Sequence, residues 1–261
     1  GIVAWLAGCC FFFLGCRRWQ RVLKGVLQAA VVWAFVLLTG MAPSTLRAGV
    51  MITLLLIGGM AEQRSNVLNN LCTSAVILLI ADPWMLFDVG FELSYASVLG
   101  IVLWQRPLQE LVPTLSQPMP SVWLWLPQRV WELVCLSTSA QLAALPFTLY
   151  YFHQFPTYFL IANIAVVPFA GLILGTVLAM LLTGGWAAGA LRWELVAVDR
   201  LTSWIAALPS ALQEGIYCDL PVMLLLIGEL LLLTLLLRCR QRWALPTIIA
   251  LLILWALYVL F

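Results

Sequence analysis

The 261-residue chain is 64% hydrophobic and only 9% charged, against roughly 25% charged in an ordinary soluble domain. With a mean hydropathy of +1.05, this excludes a soluble globular domain, a disordered chain and a DNA-binding module of the basic-patch kind, and leaves a polytopic membrane protein. The net charge of +2 argues for no partner; where the charges fall is more informative.

In chain order, the first residue is Gly1 rather than Met, already inside an apolar run over 1–16. No charged leader with a small-residue cleavage site is read as a signal peptide, and the chain is expected to start within a larger protein. Further apolar segments lie at 22–39, 46–60, 67–81, 89–104, 130–150, 158–182, 220–237 and 244–261. Backbone polar groups in lipid must be satisfied internally, so these segments are helices. Leu224 to Leu237 shows none of the alternation a barrel requires. The expected fold is an all-α polytopic membrane protein, one transmembrane domain over 1–261 with about 8–10 transmembrane or partly re-entrant helices. The segments 46–60, 67–81 and 89–104 are short for spans. They are either half-helices lining a cavity or spans whose ends lie a few residues further out.

Two stretches read differently. The segment 105–129 is the longest polar connection; Pro107, Pro113, Pro118, Pro120 and Pro127 argue against a continuous helix there, and Trp123, Trp125 and Trp131 suit an interfacial belt. The stretch 193–209 puts Asp199, Arg200, Thr202 and Ser203 on one side of a helical wheel and Trp193, Val196, Ala197, Leu201, Trp204 and Leu208 on the other. It suits an amphipathic helix lying in the interface, or a span with its polar side toward other helices. If it spans, Arg47 is the one basic residue on the outer side, and Arg17, Arg18, Arg21 and Lys24 are cytoplasmic. If it lies flat the bias weakens, but Arg47, Asp82, Asp88 and His153 stay on the outer half.

Ionisable groups at membrane depth are costly and mark function. Arg47 opens the third segment, where Pro43 with Ser44 or Thr45 forms a helix start. Free backbone N–H groups and the positive end of the helix dipole would then meet the guanidinium, a combination suited to a phosphate; the plain alternative is an Arg snorkelling at a helix end. Asp82 before Pro83 reads as a helix cap. Asp88 reads as a second cap, with Glu92 one turn further on the same face. The two carboxylates fit acid–base work, or pairing with Arg47 from another helix, and pairing is preferred. Gln141, Asn163 and nearby hydroxyls are interhelical glue or line a polar path, and Pro146 and Pro168 kink or break their helices. Glu229 has no obvious basic partner.

The seven cysteines form no CxxC pair and there is one histidine, His153, so no zinc site, no other metal and no cofactor is expected. Nucleotide-binding glycine loops, nucleophile elbows and HExxH are absent from the sequence. No catalytic chemistry is expected.

Four motifs in order, TGMAPSTLRAGVM, ADPWMLFDVGFELSYASVLGI, STSAQLAALPFTLYYFHQFP and LIANIAVVPFAG, resemble the membrane domain of ComEC-type competence proteins over about residues 22 to 237. The resemblance implies a multi-pass channel of the bacterial inner membrane that passes single-stranded DNA into the cytoplasm during natural transformation. It implies partners in a DNA receptor and a cytoplasmic helicase, and a homo-oligomer is a further expectation. The family often adds an OB-like domain ahead and a metallo-β-lactamase-like domain after; neither is read in this chain, which is expected to be truncated at its N-terminus. Glu92 stands where the family's GFQLS pattern has Gln, so the carboxylate would need a partner such as Arg47 beside a polyanion path. Channel-lining or DNA-contact candidates are Arg47, Ser44, Asp88, Glu92, Ser94, Gln141 and Asn163, with helix breaks at Pro43, Pro83, Pro146 and Pro168. A different class, an ion- or proton-coupled small-molecule transporter using Asp88, Glu92 and Glu229, remains the alternative.

Overall fold

A computed structural model describes residues 18–60, 66–112, 122–183 and 187–239. The apolar segments at 1–16 and 244–261 lie outside the described residues, as do Arg17, Arg64, Arg240, Arg242, Pro113, Pro118 and Pro120. Among the described residues eight α-helices follow in order: α1 (Arg18–Leu38), α2 (Pro43–Met60), α3 (Val67–Ala81), α4 (Val89–Glu110), α5 (Val122–Phe152), α6 (Phe159–Thr183), α7 (Ala188–Ala206) and α8 (Leu220–Cys239). A 3-10 turn, Pro83–Phe87, stands between α3 and α4. The only sheet among the described residues is a short ribbon, in which β1 (Gln154–Pro156) pairs antiparallel with β2 (Leu212–Glu214). The fold is therefore the all-α one expected, with a ribbon that the apolar pattern does not announce.

Pro43–Met60, Leu126–Phe152 and Phe159–Val177 are long and apolar enough to cross a bilayer, and Val22–Leu38, Val67–Ala81 and Leu220–Leu235 are apolar but shorter. Leu38, Ile80, Leu172, Leu224 and Leu235 are all exposed. In water such a surface would drive aggregation; lipid solvates it. The chain is a membrane protein.

Of the three short segments, two gain length at their ends. Pro43 starts α2 three residues early, because proline at the first helical position forfeits no hydrogen bond. The helix α4 runs on to Glu110 through Pro107. Only α3 stays short, stopped by the Asp82–Pro83 cap. The long loop expected over 105–129 shrinks accordingly, since α5 begins at Val122 and passes through Pro127. Neither Pro146 nor Pro168 ends its helix: α5 and α6 continue through them. Each proline removes one backbone bond, which is tolerated in membrane helices where other groups re-satisfy the freed carbonyl. Pro43 and Pro83, by contrast, stand at helix starts.

The described residues cluster into two compact units, where the sequence reads as one transmembrane domain. The first holds residues up to Phe91 together with Val167–Arg200. Its helices α1 and α2 pack together, and α2 packs on α3. Gly40 (φ 70°) and Met41 (φ 55°) close α1 in the left-handed region, with Gly40 N–H donating to the Leu37 carbonyl and Met41 N–H to that of Val36. A Cβ at Gly49 would stand 3.0 Å from Val36, so the missing side chain lets the two helices approach. Trp33 Nε1 donates to Thr53 Oγ1 at 3.0 Å, satisfying the indole across the same contact.

The second unit comprises Glu92–Val166 and the residues from Leu201 onward. Here α5 packs on α8, with Leu149, Cys218, Val222 and Leu226 as a buried cluster. A Cβ at Gly100 of α4 would strike Ala143 Cβ and the Ser139 carbonyl of α5. Buried Trp104 donates to Thr234 Oγ1 of α8 at 2.8 Å.

Candidate functional site

In the first unit the functional geometry gathers on Asp88. This residue ends the 3-10 turn and caps α4. Its Oδ1 accepts from Gly90 N–H at 3.3 Å and its Oδ2 from Phe91 N–H at 3.1 Å. That is ordinary capping by a carboxylate at a positive helix end. The addition is Arg47 of α2, whose Nη1 donates to Asp88 Oδ2 at 2.9 Å. The Arg47 side chain is 6% exposed, that of Asp88 45%. The ion pair therefore has one dry end and one end open to the surroundings. Arg47 Nε, also buried, has no hydrogen-bond partner.

Gly90 makes room for this arrangement. A Cβ there would sit 3.2 Å from Arg47 Nη2 and 3.3 Å from Asp88 Oδ2, so the guanidinium lies over a bare backbone. Just ahead, Asp82 accepts from Trp84 N–H at 3.0 Å, and is the cap that the Asp–Pro pair suggests. The turn it caps holds Trp84 and Phe87, both largely exposed, with ring centroids 6.4 Å apart.

Other candidates from the sequence fall as follows. Ser44 is exposed in the first turn of α2, where Thr45 rather than Ser44 bonds the preceding loop, donating to the Ala42 carbonyl at 2.8 Å. Of the two carboxylates, Asp88 holds Arg47. Glu92 lies in the second unit, and its Oε2 is buried without a partner. Ser94, Gln141 and Asn163 are half-buried on α4, α5 and α6. No hydrogen bond among the described residues joins Glu92, Ser94, Gln141 and Asn163 to one another. His153 takes a left-handed backbone (φ 54°) at the end of α5, its Nδ1 3.0 Å from the Leu149 carbonyl and its ring against Tyr217. It serves as a helix terminus with an aromatic neighbour.

Glu229 is the feature that sequence reasoning leaves unplaced. It is 8% exposed, and its Oε1 has no partner. It lines a cavity of about 470 Å³ in the second unit. Leu142, Leu145 and Leu149 of α5 and Leu226, Leu230 and Leu233 of α8 form most of the wall. Pro146, Phe155 and Ile216 complete the apolar part, and Gln213 of β2 supplies the one other polar side chain among the described residues.

Three more residues matter that the sequence reading passes over. Gly100 is visible only as a lone glycine in an apolar helix, a signal of close approach without an address. Thr176 donates to Glu194 Oε2 at 2.6 Å between α6 and α7, which buries a carboxylate on the stretch read as amphipathic while Trp193, Val196 and Trp204 stay exposed. Cys218 is buried, and that burial, with Asp219 beside it, holds its thiol above the usual range; this disfavours the reactive thiolate. No group of three or more His, Cys, Asp or Glu side chains able to hold a metal occurs among the described residues.

The chain is 31% identical over 191 residues to ComE operon protein 3 of Bacillus subtilis (strain 168), a match covering 71% of this chain and 22% of the relative. The chain thus corresponds to about a fifth of that protein's length. No solved structure gives a significant match. The family model described as Competence protein matches residues 1–260, and by that match over nearly its whole length the chain belongs to the competence protein family.

Proposed function

We propose that this chain forms the membrane channel, or part of it, through which single-stranded DNA passes across the bacterial inner membrane into the cytoplasm during natural transformation. The observation that carries this reading is the family match over residues 1–260. The Bacillus subtilis relative, a protein named for the ComE operon, points the same way. The chain crosses the membrane several times, and its partners are the DNA strand, a DNA receptor outside, a helicase inside, and further copies of itself. The reading needs no catalytic step.

The site in the first unit supports it chemically. A conduit for single strands combines basic groups for phosphates with aromatic faces for bases. The exposed Trp84 and Phe87 rings shortly precede the cap residue Asp88 in sequence, and Arg47 is held beside it at the start of α2. In this resting arrangement Asp88 neutralises Arg47. A phosphate would compete with the half-exposed carboxylate for the guanidinium, so binding is weak and passing, as a conduit requires. The transporter alternative has less to draw on, because Asp88 is committed both as a cap and as an ion-pair partner.

The experiment is uptake of labelled DNA by cells whose only copy of the gene is disrupted, with the full-length gene restored as control. Loss of entry into the cytoplasm with surface binding retained is the expected result. Unchanged uptake, in cells where transformation otherwise works, would refute the proposal.

A further inference from the structure

A second candidate site lies in the second unit. The cavity between α5 and α8 is walled almost entirely by leucine and other apolar side chains, and Glu229 lines it. Its volume of about 470 Å³ lies within the range of small-molecule sites. An isolated carboxylate in such surroundings is costly unless a positive charge or a proton meets it. Among the described residues no Lys, Arg or His lines the cavity, and Glu229 Oε1 is left without a partner. The protein thus presents one buried negative group, one amide at Gln213, and a large apolar wall. A metal ion would need several oxygen ligands, which this wall does not offer. A molecule with a single ammonium head and an apolar body matches both parts.

We propose that this cavity binds an aliphatic primary ammonium, with the ammonium donating to Glu229 and the hydrocarbon body lying against Leu145, Leu230 and Phe155. The charged head restores the missing hydrogen bond, and the tail excludes water around it, which strengthens the interaction. The carboxylate selects for charge; the leucines select for an unbranched apolar tail. This site is independent of DNA passage and does not rest on it.

The test uses the purified full chain in lipid nanodiscs, with empty nanodiscs as blank. Binding of radiolabelled n-octylamine is measured at near-neutral pH, with n-octanol and octanoate as competitors of equal length. The expected result is a saturable component above the blank that octanol and octanoate fail to displace. Glu229→Gln weakens it by about ten- to a hundredfold, the scale of a hydrogen bond to a charged group. Leu145→Trp, which fills the cavity and leaves Glu229 in place, also removes it. Equal binding by the Glu229→Gln protein overturns the proposal, as does displacement by octanol, which would mean that the cavity takes any apolar chain. Should Glu229→Gln fail to fold, the Leu145→Trp protein and the octanol competition decide the matter. Absence of any saturable component in the unaltered chain also overturns it, whatever the outcome for DNA uptake.

Discussion

A single carboxylate at Asp88 serves two helices. It caps α4 through two backbone N–H groups and holds Arg47 of α2. The two partners of the ion pair are not equivalent, because Arg47 is buried and Asp88 half-open. Removing the carboxylate strands a buried cation and uncaps a helix; removing the guanidinium leaves an anion that the surroundings can solvate. Asp88→Ala is therefore expected to destabilise the protein by about 3 kcal/mol, and Arg47→Met by clearly less. The double variant should recover most of the loss. Thermal unfolding in detergent measures all three, and equal losses for the two single variants would contradict the asymmetry. Arg47→Met also separates stability from function: it should insert and fold yet lower DNA uptake, and unchanged uptake would remove Arg47 as a phosphate contact. For the neighbouring rings, Trp84→Ala should lower uptake and Trp84→Phe retain most of it, if bases stack there, by the roughly 1–3 kcal/mol per base that stacking is worth.

Much at this scale is legible in the residue order. Asp before Pro announces the Asp82 cap, and the spacing of Asp88 from Glu92 puts both on one face. Which carboxylate takes Arg47 is not legible, because the choice depends on where α2 meets the start of α4. Glu229 is visible as an orphan in an apolar run; the cavity beside it is not, since its wall comes from two segments, 142–155 and 213–233, far apart in the chain.

At the scale of elements, glycine sets how closely helices approach. Gly100 lets α4 touch the backbone of α5 at Ser139. Membrane helices have no hydrophobic driving force between them and rely on such contacts. Gly100→Ala is expected to cost about 2 kcal/mol through overpacking, despite alanine's better helix propensity. Adding Ala143→Gly should recover only part of this, because the Ser139 carbonyl remains in the way. Unfolding of the two variants checks the sign, and full recovery would place the clash at Ala143 alone. The apolar runs locate the described helices, since periodicity and length are local properties, although α4 ends later and α5 starts earlier than its run. They miss the β1–β2 ribbon, which joins Gln154 to Glu214 through strands of three residues, too short for any alternation to register.

At the scale of the whole chain, the second unit is held by contacts between distant segments. Trp104 reaches Thr234 across 130 positions, β1 reaches β2, and α5 packs on α8. A chain ending before Leu220 would lose the buried cluster around Val222 and Leu226 and leave the Trp104 indole unsatisfied. It is expected to insert its earlier helices but to be degraded, with protease-resistant fragments confined to the first unit's helices. A pulse-chase of the truncated chain would test this, and a stable second unit without α8 would contradict it.

The ribbon adds a constraint of timing. Helix α5 leaves the ribosome well before the strand that pairs with its C-terminal extension has been made, because Glu214 follows Gln154 only after α6 and α7. During synthesis β1 therefore waits with its edge open, and an unpaired strand invites wrong partners. At three residues it is too short to recruit them, and its own partner arrives joined to α8. The clasp that fixes α5 can close only once two further helices have been made, so its closing is a late step in the folding of the second unit.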